Sequence, residues 1–184
     1  MRTFILVSAL LLIATAARGG ATDPARALEF FTGACWSGTF ADGETTDTHC
    51  FQPVFGGVFV RDNHVVRGAR PAYAGETLYR WNPTERRFDY TYWDSNGGVS
   101  RGALVPDGNS LLSPAETYTD ADGATRQIVS RWTITGDDTW EQSAEEPLAS
   151  GRRLLWVIRY RRVADPGRLD EPCLSPCREA PGRQ

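Results

Sequence analysis

The two histidines of this sequence are the side chains best suited to acid–base or metal chemistry. His49 and His64 are the only histidines among 184 residues, and Asp62 stands two residues before His64. A histidine oriented by a carboxylate can act as a general base near neutral pH. Two histidines and one carboxylate can also bind zinc with an open coordination position. The sequence predicts no Gly-x-Ser-x-Gly nucleophile elbow, no His-Glu-x-x-His zinc motif and no nucleotide-binding loop, and it indicates no particular cofactor.

Short β-strands separated by turn residues are the elements that must position these side chains. The connecting segments are rich in Gly, Asn and Asp, which accept the positive φ of tight hairpin turns. Regularly spaced strands without intervening helices predict an all-β, antiparallel sandwich or barrel. One short helix is predicted over residues 24–31, with Asp23 as its N-cap. The predicted strands cover residues 34–40, 45–55, 58–67, 72–81, 88–94, 99–105, 116–119, 126–134, 139–143 and 152–163.

The four cysteines are an even number, as expected for a protein exported to an oxidising compartment. They are Cys35, Cys50, Cys173 and Cys177. Three pairings are possible, and proximity in the sequence favours Cys35 with Cys50 and Cys173 with Cys177. A metal site at Cys173 and Cys177 is an alternative, although no histidine lies near them.

A bond between Cys35 and Cys50 on neighbouring antiparallel strands would set the register of the first hairpins. Trp36 would then lie opposite His49, and residues 41–44 would form an ordinary four-residue connection. A two-residue turn at Gly56-Gly57 would in addition set His49 opposite His64 and Phe51 opposite Asp62. The two histidines would therefore meet on adjacent strands, unless a bulge at Pro53 shifts the register.

The segment from Gly33 to Phe40 resembles the first strand of the lipocalin-like (calycin) group, including exported bacterial members. Thr46 to Phe51, Gly56-Gly57 and Tyr73-x-Gly75-Glu76-Thr77-Leu78-Tyr79 extend the resemblance, which covers roughly residues 28–163. The resemblance implies a closed, antiparallel, up-and-down barrel of about eight to ten strands. It further implies that Trp36 faces inward and that a basic residue of the last strand, Arg159 or Arg161, covers the barrel end. Nitrobindin is similar in outline, but it binds haem through a histidine late in the chain, whereas the last histidine here is His64.

An inward Trp36 would place His49 inside the barrel and the cysteines outside, because opposed residues share a face of the sheet. Extending the alternation to later strands, with a tight turn at Asn96-Gly97, gives an interior that is aromatic with a few polar groups, as small-molecule sites usually are. Arg101 would either pair with Asp94 or hold an anionic ligand group. The predicted site residues are Trp36, His49, Asp62, His64, Tyr79, Tyr90, Tyr92 and Arg101.

Both ends of the sequence are predicted to lie outside the barrel domain, which is assigned to residues 24–163. Residues 1–16 have a basic start, an apolar run and small residues, as in a secretory signal peptide, with cleavage between residues 16 and 21. This run is shorter than the about 20 residues that a membrane-spanning helix needs, and no later segment is predicted to span a membrane. Residues 164–184 are predicted to form a flexible tail that contains two of the cysteines. The protein is expected to be periplasmic or secreted.

Four functions are compatible with these features. The first is binding of a small, partly polar aromatic or carboxylated molecule. The others are an enzyme with a histidine–aspartate pair, a metal site formed by both histidines and Asp62, and an envelope interaction module with a filled core. A net charge of −3 with mixed signs argues against nucleic acid as a partner, and the sequence does not indicate an oligomeric state.

Overall fold

Ten antiparallel strands close into a barrel in the computed structural model, which describes residues 23–69 and 73–164. Each strand pairs with its neighbours in the sequence, and the last strand pairs with the first. This up-and-down topology confirms the all-β prediction at ten strands and fits a calycin-like fold. The strands are β1 (Ala34–Thr39), β2 (Thr46–Val54), β3 (Phe59–Arg67), β4 (Tyr73–Asn82), β5 (Arg87–Asp94), β6 (Val99–Asp107), β7 (Ser110–Thr119), β8 (Thr125–Gly136), β9 (Thr139–Leu148) and β10 (Gly151–Val163).

The predicted register of the first three strands is confirmed. Cys35 and Cys50 form a disulfide between β1 and β2, and Trp36 lies opposite His49. His49 lies opposite His64 in the β2–β3 pair, with no bulge at Pro53. The connection itself is longer than predicted: β2 ends at Val54 and β3 begins at Phe59, so four residues form the loop, including a 3-10 turn at Phe55–Gly57. Extending the loop by one residue on each side leaves the opposed pairs unchanged.

Several elements differ from the sequence prediction in extent, and β9 continues to Leu148 instead of ending at residue 143. β7 begins at Ser110 rather than at residue 116, and its register shifts between Ser113 and Glu116, on either side of Pro114. Pro114 lacks a backbone donor, which fits its place in a shifted part of the ladder. The predicted helix over residues 24–31 is wrong beyond a single 3-10 turn at Pro24–Arg26, capped by the Asp23 side chain. A helix this short has little stability of its own, so tertiary packing decides its conformation.

The segment from Asp23 to Gly33 covers one end of the barrel, here called the closed end. Leu28 and Phe31 are buried, and the Trp36 indole N–H donates a hydrogen bond to the Phe31 carbonyl at 3.2 Å. The Arg162 guanidinium lies over the Trp36 ring, 4.5 Å from its centre.

The predicted role of Arg159 or Arg161 at the barrel end is therefore wrong, because Arg162 is the residue directly opposite Trp36 in the β1–β10 pair. Arg159 lies on the outer surface, where it pairs with Glu141.

No helix within residues 23–69 and 73–164 is long and apolar enough to cross a membrane. The predicted signal peptide, Cys173 and Cys177 lie outside the described residues.

Candidate functional site

A cavity of about 430 Å³ occupies the barrel interior. Its lining includes Phe40 and Asn96, which lie in the β1–β2 and β5–β6 connections. In an up-and-down barrel both connections lie at the end opposite the start of β1, so the cavity reaches the end that the N-terminal segment leaves uncovered. We call this the open end. Trp132 lies deep in the cavity and also contacts Phe31 of the closed end.

Three side chains from β2 and β3 form a buried polar group on the cavity wall. Asp47 and His49 are two residues apart on β2, so strand alternation puts them on the same face. Asp62 comes from the adjacent strand β3 and is 2% exposed. The His49 ring contacts both carboxylates, with Nε2 3.0 Å from Asp47 Oδ2 and Nδ1 2.8 Å from Asp62 Oδ2.

This geometry controls the protonation of His49. Burial alone would lower its pKa, but the charges of Asp47 and Asp62, together with the hydrogen bonds to them, outweigh burial and raise the pKa to about 10. Burial likewise raises the pKa of Asp47, but His49 and His64 shift it well below its usual value. At neutral pH His49 is therefore an imidazolium that donates a hydrogen bond from each nitrogen, and it is not available as a general base.

His64 continues the polar group toward the tyrosines of the open end. Its ring stacks on His49 with 4.7 Å between ring centres, and its Nδ1 lies 3.1 Å from Asp47 Oδ1. Its Nε2 lies 3.2 Å from the Tyr92 hydroxyl, which is also hydrogen-bonded to Tyr73. Gly75 makes room for this arrangement, since a Cβ atom there would lie 2.5 Å from His64 Nε2. A continuous hydrogen-bonded chain thus runs from Asp62 to Tyr73.

A second polar group lies on β5 to β7. The Tyr90 hydroxyl donates to Glu116 at 2.7 Å and lies 3.1 Å from the Ser113 hydroxyl, and Ser100 also donates to Glu116. Burial is the main reason that the pKa values of Tyr73, Tyr79, Tyr90 and Tyr92 are raised above their usual value. These tyrosines stay neutral and act as hydrogen-bond donors or acceptors.

Six of the eight site residues predicted from the sequence line the cavity: His49, Asp62, His64, Tyr79, Tyr90 and Tyr92. Trp36 does not line it, because its ring is buried at the closed end between Phe30 and Arg162. Trp36 therefore contributes to packing of the barrel end.

The predicted inward orientation of Arg101 is wrong. The Asp94 N–H donates to the Gly98 carbonyl at 3.0 Å, so three residues, 95–97, form the turn, with Gly97 at φ 85°, instead of the predicted two. Tyr92 consequently lies opposite Ser100, and Arg101 lies opposite Thr91 and is exposed. A change of one residue in a hairpin loop turns each following side chain to the other face of the sheet.

Sequence reasoning missed Asp47, Tyr73 and Glu116 as cavity residues. A signal for Asp47 was present, because it lies two residues before His49 and shares its face. Glu116 could not be oriented from the sequence, because the irregular pairing of β7 interrupts the alternation.

The segment Gly98-Val99-Ser100-Arg101-Gly102 has the spacing of the Gly-x-Ser-x-Gly nucleophile motif. The motif requires a serine on a sharp turn between a strand and a helix, with its hydroxyl exposed. Ser100 instead lies within β6, is fully buried and donates to Glu116. The segment therefore does not form a nucleophile elbow.

One group in the described part of the chain could hold a metal ion. Asp47, His49 and His64 each offer a ligand atom, and these atoms lie within 4.8 Å of one another. The set predicted from the sequence contained Asp62 in place of Asp47, but Asp62 contacts the far side of the His49 ring.

Comparison of the sequence with protein-family models and with curated proteins finds no match.

Proposed function

We propose that this chain is an exported, calycin-like barrel that binds a small, partly polar aromatic molecule in its central cavity. The observation that carries the proposal is a cavity of about 430 Å³ with aromatic walls and a buried polar group, reached from one end of the barrel. Pockets for organic ligands usually have volumes of about 300–1,000 Å³ and combine an apolar lining with a few oriented polar groups.

The polar groups favour a ligand that carries a hydroxyl or amino group. Asp47, Asp62 and Glu116 bring three carboxylates to the wall, and Asp62 Oδ1 is buried without a hydrogen-bond partner among the described residues. Such an oxygen is costly to bury, and a donor from a ligand would satisfy it. A carboxylated ligand has less support, because Arg101 is not in the cavity and Arg126, which does line it, is exposed and lies over the Tyr118 ring.

Export is supported by the Cys35–Cys50 disulfide, since disulfides persist in oxidising compartments. The alternative of an interaction module with a filled core has less support than ligand binding, because the interior holds a cavity. The Asp47, His49 and His64 group is compatible with the catalytic or metal-dependent alternative, although an imidazolium at His49 does not favour a role as a base.

Binding can be tested with N-phenyl-1-naphthylamine, an aromatic probe with one N–H donor whose fluorescence increases in apolar surroundings. We expect saturable binding of one probe per chain, with energy transfer from tryptophan. Ser130 lines the cavity, so Ser130→Phe should fill part of it and weaken binding by about tenfold or more.

The matched control is Val129→Phe, which introduces the same aromatic ring at the neighbouring, outward-facing position of β8. This variant should bind the probe like the unchanged protein. Absence of saturable binding, or equal binding by Ser130→Phe, would contradict the proposal. If the probe binds as expected, native mass spectrometry of protein purified from its natural source would identify the physiological ligand as a mass that is lost on denaturation.

A further inference from the structure

We propose that Asp47, His49 and His64 form a binding site for one divalent transition-metal ion, with Zn²⁺ as the best match to the ligand set. The inference goes beyond the proposed function, because it requires no organic ligand. Imidazole nitrogens suit zinc, copper, iron and nickel, and a carboxylate with two imidazoles is a common set for zinc or iron sites with an open coordination position.

The positions of the ligand atoms carry the proposal. Both oxygens of Asp47 face imidazole nitrogens, with Oδ2 3.0 Å from His49 Nε2 and Oδ1 3.1 Å from His64 Nδ1. Ligand atoms of a tetrahedral zinc ion are roughly 3.3 Å apart, because each zinc bond is about 2.0–2.2 Å long. An ion bound among the three side chains would displace the proton of His49 Nε2 to solvent and replace these hydrogen bonds with small movements of the rings.

Each histidine is also held from its far side by another residue, and Asp47 accepts a further hydrogen bond on Oδ2. His49 Nδ1 is bonded to Asp62 Oδ2 at 2.8 Å, and His64 Nε2 is bonded to the Tyr92 hydroxyl. The Tyr160 hydroxyl donates to Asp47 at 3.0 Å. Metal-binding histidines nearly always have such a partner on the second nitrogen, which orients the ring and makes it a better ligand.

The location permits an ion to reach the site and leaves a position for another ligand. All three side chains line the cavity, while Asp47 and His49 are buried and therefore shielded from bulk water. They lie on two adjacent, hydrogen-bonded strands that keep them in place. The free coordination position would face the cavity, where water or a hydroxyl group of an organic ligand could occupy it.

The test uses the full mature chain, treated with a chelator and then titrated with the metal alone. We expect one Zn²⁺ per chain in competition with a chromophoric chelator, and one Co²⁺ per chain with visible absorption typical of four or five ligands. His64→Gln should lower the affinity by about tenfold or more, and Asp62→Asn, which leaves all three ligands in place, should lower it by about 10–100-fold. Thermal unfolding of each variant without metal would establish that it folds.

Two controls locate the bound ion. Asp89→Asn removes a carboxylate from the outer surface of β5, where Asp89 pairs with Arg87, and it should leave Zn²⁺ affinity unchanged. The double variant Cys173→Ser/Cys177→Ser should also bind normally. Absence of stoichiometric binding by the unchanged chain, equal binding by a folded His64→Gln variant, or loss of binding in the cysteine variant would overturn the proposal.

The metal site and the proposed function fail separately. Binding of N-phenyl-1-naphthylamine is measured on the chelator-treated protein, and binding of Zn²⁺ is measured without the aromatic probe. A negative result in one of these two experiments leaves the conclusion of the other unaffected.

Discussion

At the closed end of the barrel Phe31 packs against five aromatic rings, whereas on the cavity wall two carboxylates hold an imidazolium between them. The five rings belong to Phe30, Trp36, Phe51, Trp132 and Trp140, with centres 5.1–6.2 Å from that of Phe31. Burial of apolar surface is the main source of stability in such a cluster. The polar group on β2 and β3 instead has a large desolvation cost, which its charge pairing and hydrogen bonds must offset.

This difference indicates that the closed end contributes mainly to stability, whereas the polar group on β2 and β3 contributes mainly to function. Buried ion pairs can often be replaced by well-packed apolar side chains without loss of stability. The presence of the polar group is therefore weak evidence that it stabilises the fold. Its position on a cavity wall supports a binding role instead. Four substitutions test the contrast, and they are ordered from the largest expected effect to the smallest.

The largest effect is expected for Trp36→Ala at the closed end. Trp36 is fully buried, and removal of a buried Trp side chain typically costs about 3–5 kcal/mol. Denaturant unfolding would measure the loss. Trp93→Ala, at an exposed position on the outer surface, is the control and should cost less than about 1 kcal/mol. Similar losses for both variants would mean that the closed end does not carry the stability.

Tyr160→Phe tests one hydrogen bond of the polar group without changing the packing. The ring stacks on Trp140 at 4.1 Å and is retained, while the hydroxyl that donates to the Asp47 carboxylate is lost. Hydrogen bonds to charged groups contribute about 1.5–3 kcal/mol, so the free energy of unfolding should fall by about 2 kcal/mol. The same removal at the less buried Tyr118, which donates to Asp94, should cost less. An unchanged stability of Tyr160→Phe would show that Asp47 does not need this donor.

The third effect concerns stability at alkaline pH. Burial, followed by the charge of Asp62, raises the pKa of Tyr79 well above its usual value of about 10. The folded state therefore holds a proton that the unfolded state releases, so the contribution of Tyr79 is complete below pH 10 and falls as the pH rises further. Each such tyrosine lowers stability by about 1.4 kcal/mol per pH unit in this range.

Tyr79→Phe should reduce that slope by about 1.4 kcal/mol per pH unit relative to the unchanged protein. Unfolding by urea at several pH values between about 10.5 and 12, where unfolded tyrosines are mostly ionised, would measure it, and absorbance at 295 nm would follow tyrosine ionisation. Equal slopes for the two proteins would contradict the burial argument.

The smallest effect is expected for Arg162→Met at the rim of the closed end. The guanidinium lies over Trp36 and also pairs with Asp138 at 2.7 Å. Exposed cation–π contacts contribute about 0.5–1 kcal/mol and surface ion pairs about 0–1 kcal/mol, so the loss should stay near 1 kcal/mol. Arg159→Met removes a surface ion pair with Glu141 and should cost less. A larger effect at Arg159 would show that the contact with Trp36 contributes nothing.

Much of the fold could be predicted because its signals are local. Turn residues and β-rich runs identify all ten strands, and the separation of Cys35 from Cys50 matches a single hairpin with a short loop. That hairpin and the next one bring His49 and His64 together, so the centre of the candidate site follows from neighbouring segments. Asp62 was also correctly placed on the cavity wall, since it shares a face with His64.

The parts that failed depend on the exact length of a loop or on the choice of partner across the cavity. Arg101 was placed inside because a two-residue turn and a three-residue turn at Asn96-Gly97 look alike in the sequence, although they put opposite faces of β6 inward. Asp47, which contacts His49 Nε2, was missed for a different reason. Strand alternation brings both Asp47 and Asp62 to the correct face, but side-chain packing decides which nitrogen each one contacts.

By itself the sequence determined the strand order, the disulfided first hairpin and the meeting of the two histidines, because hairpin pairing depends on residues close together in the chain. Closure of the barrel decided the rest. Pairing of β1 with β10 brings Arg162 over Trp36 and Tyr160 to Asp47, across more than a hundred residues that no local pattern connects. The division into a packed end and a polar cavity is therefore a property of the closed sheet.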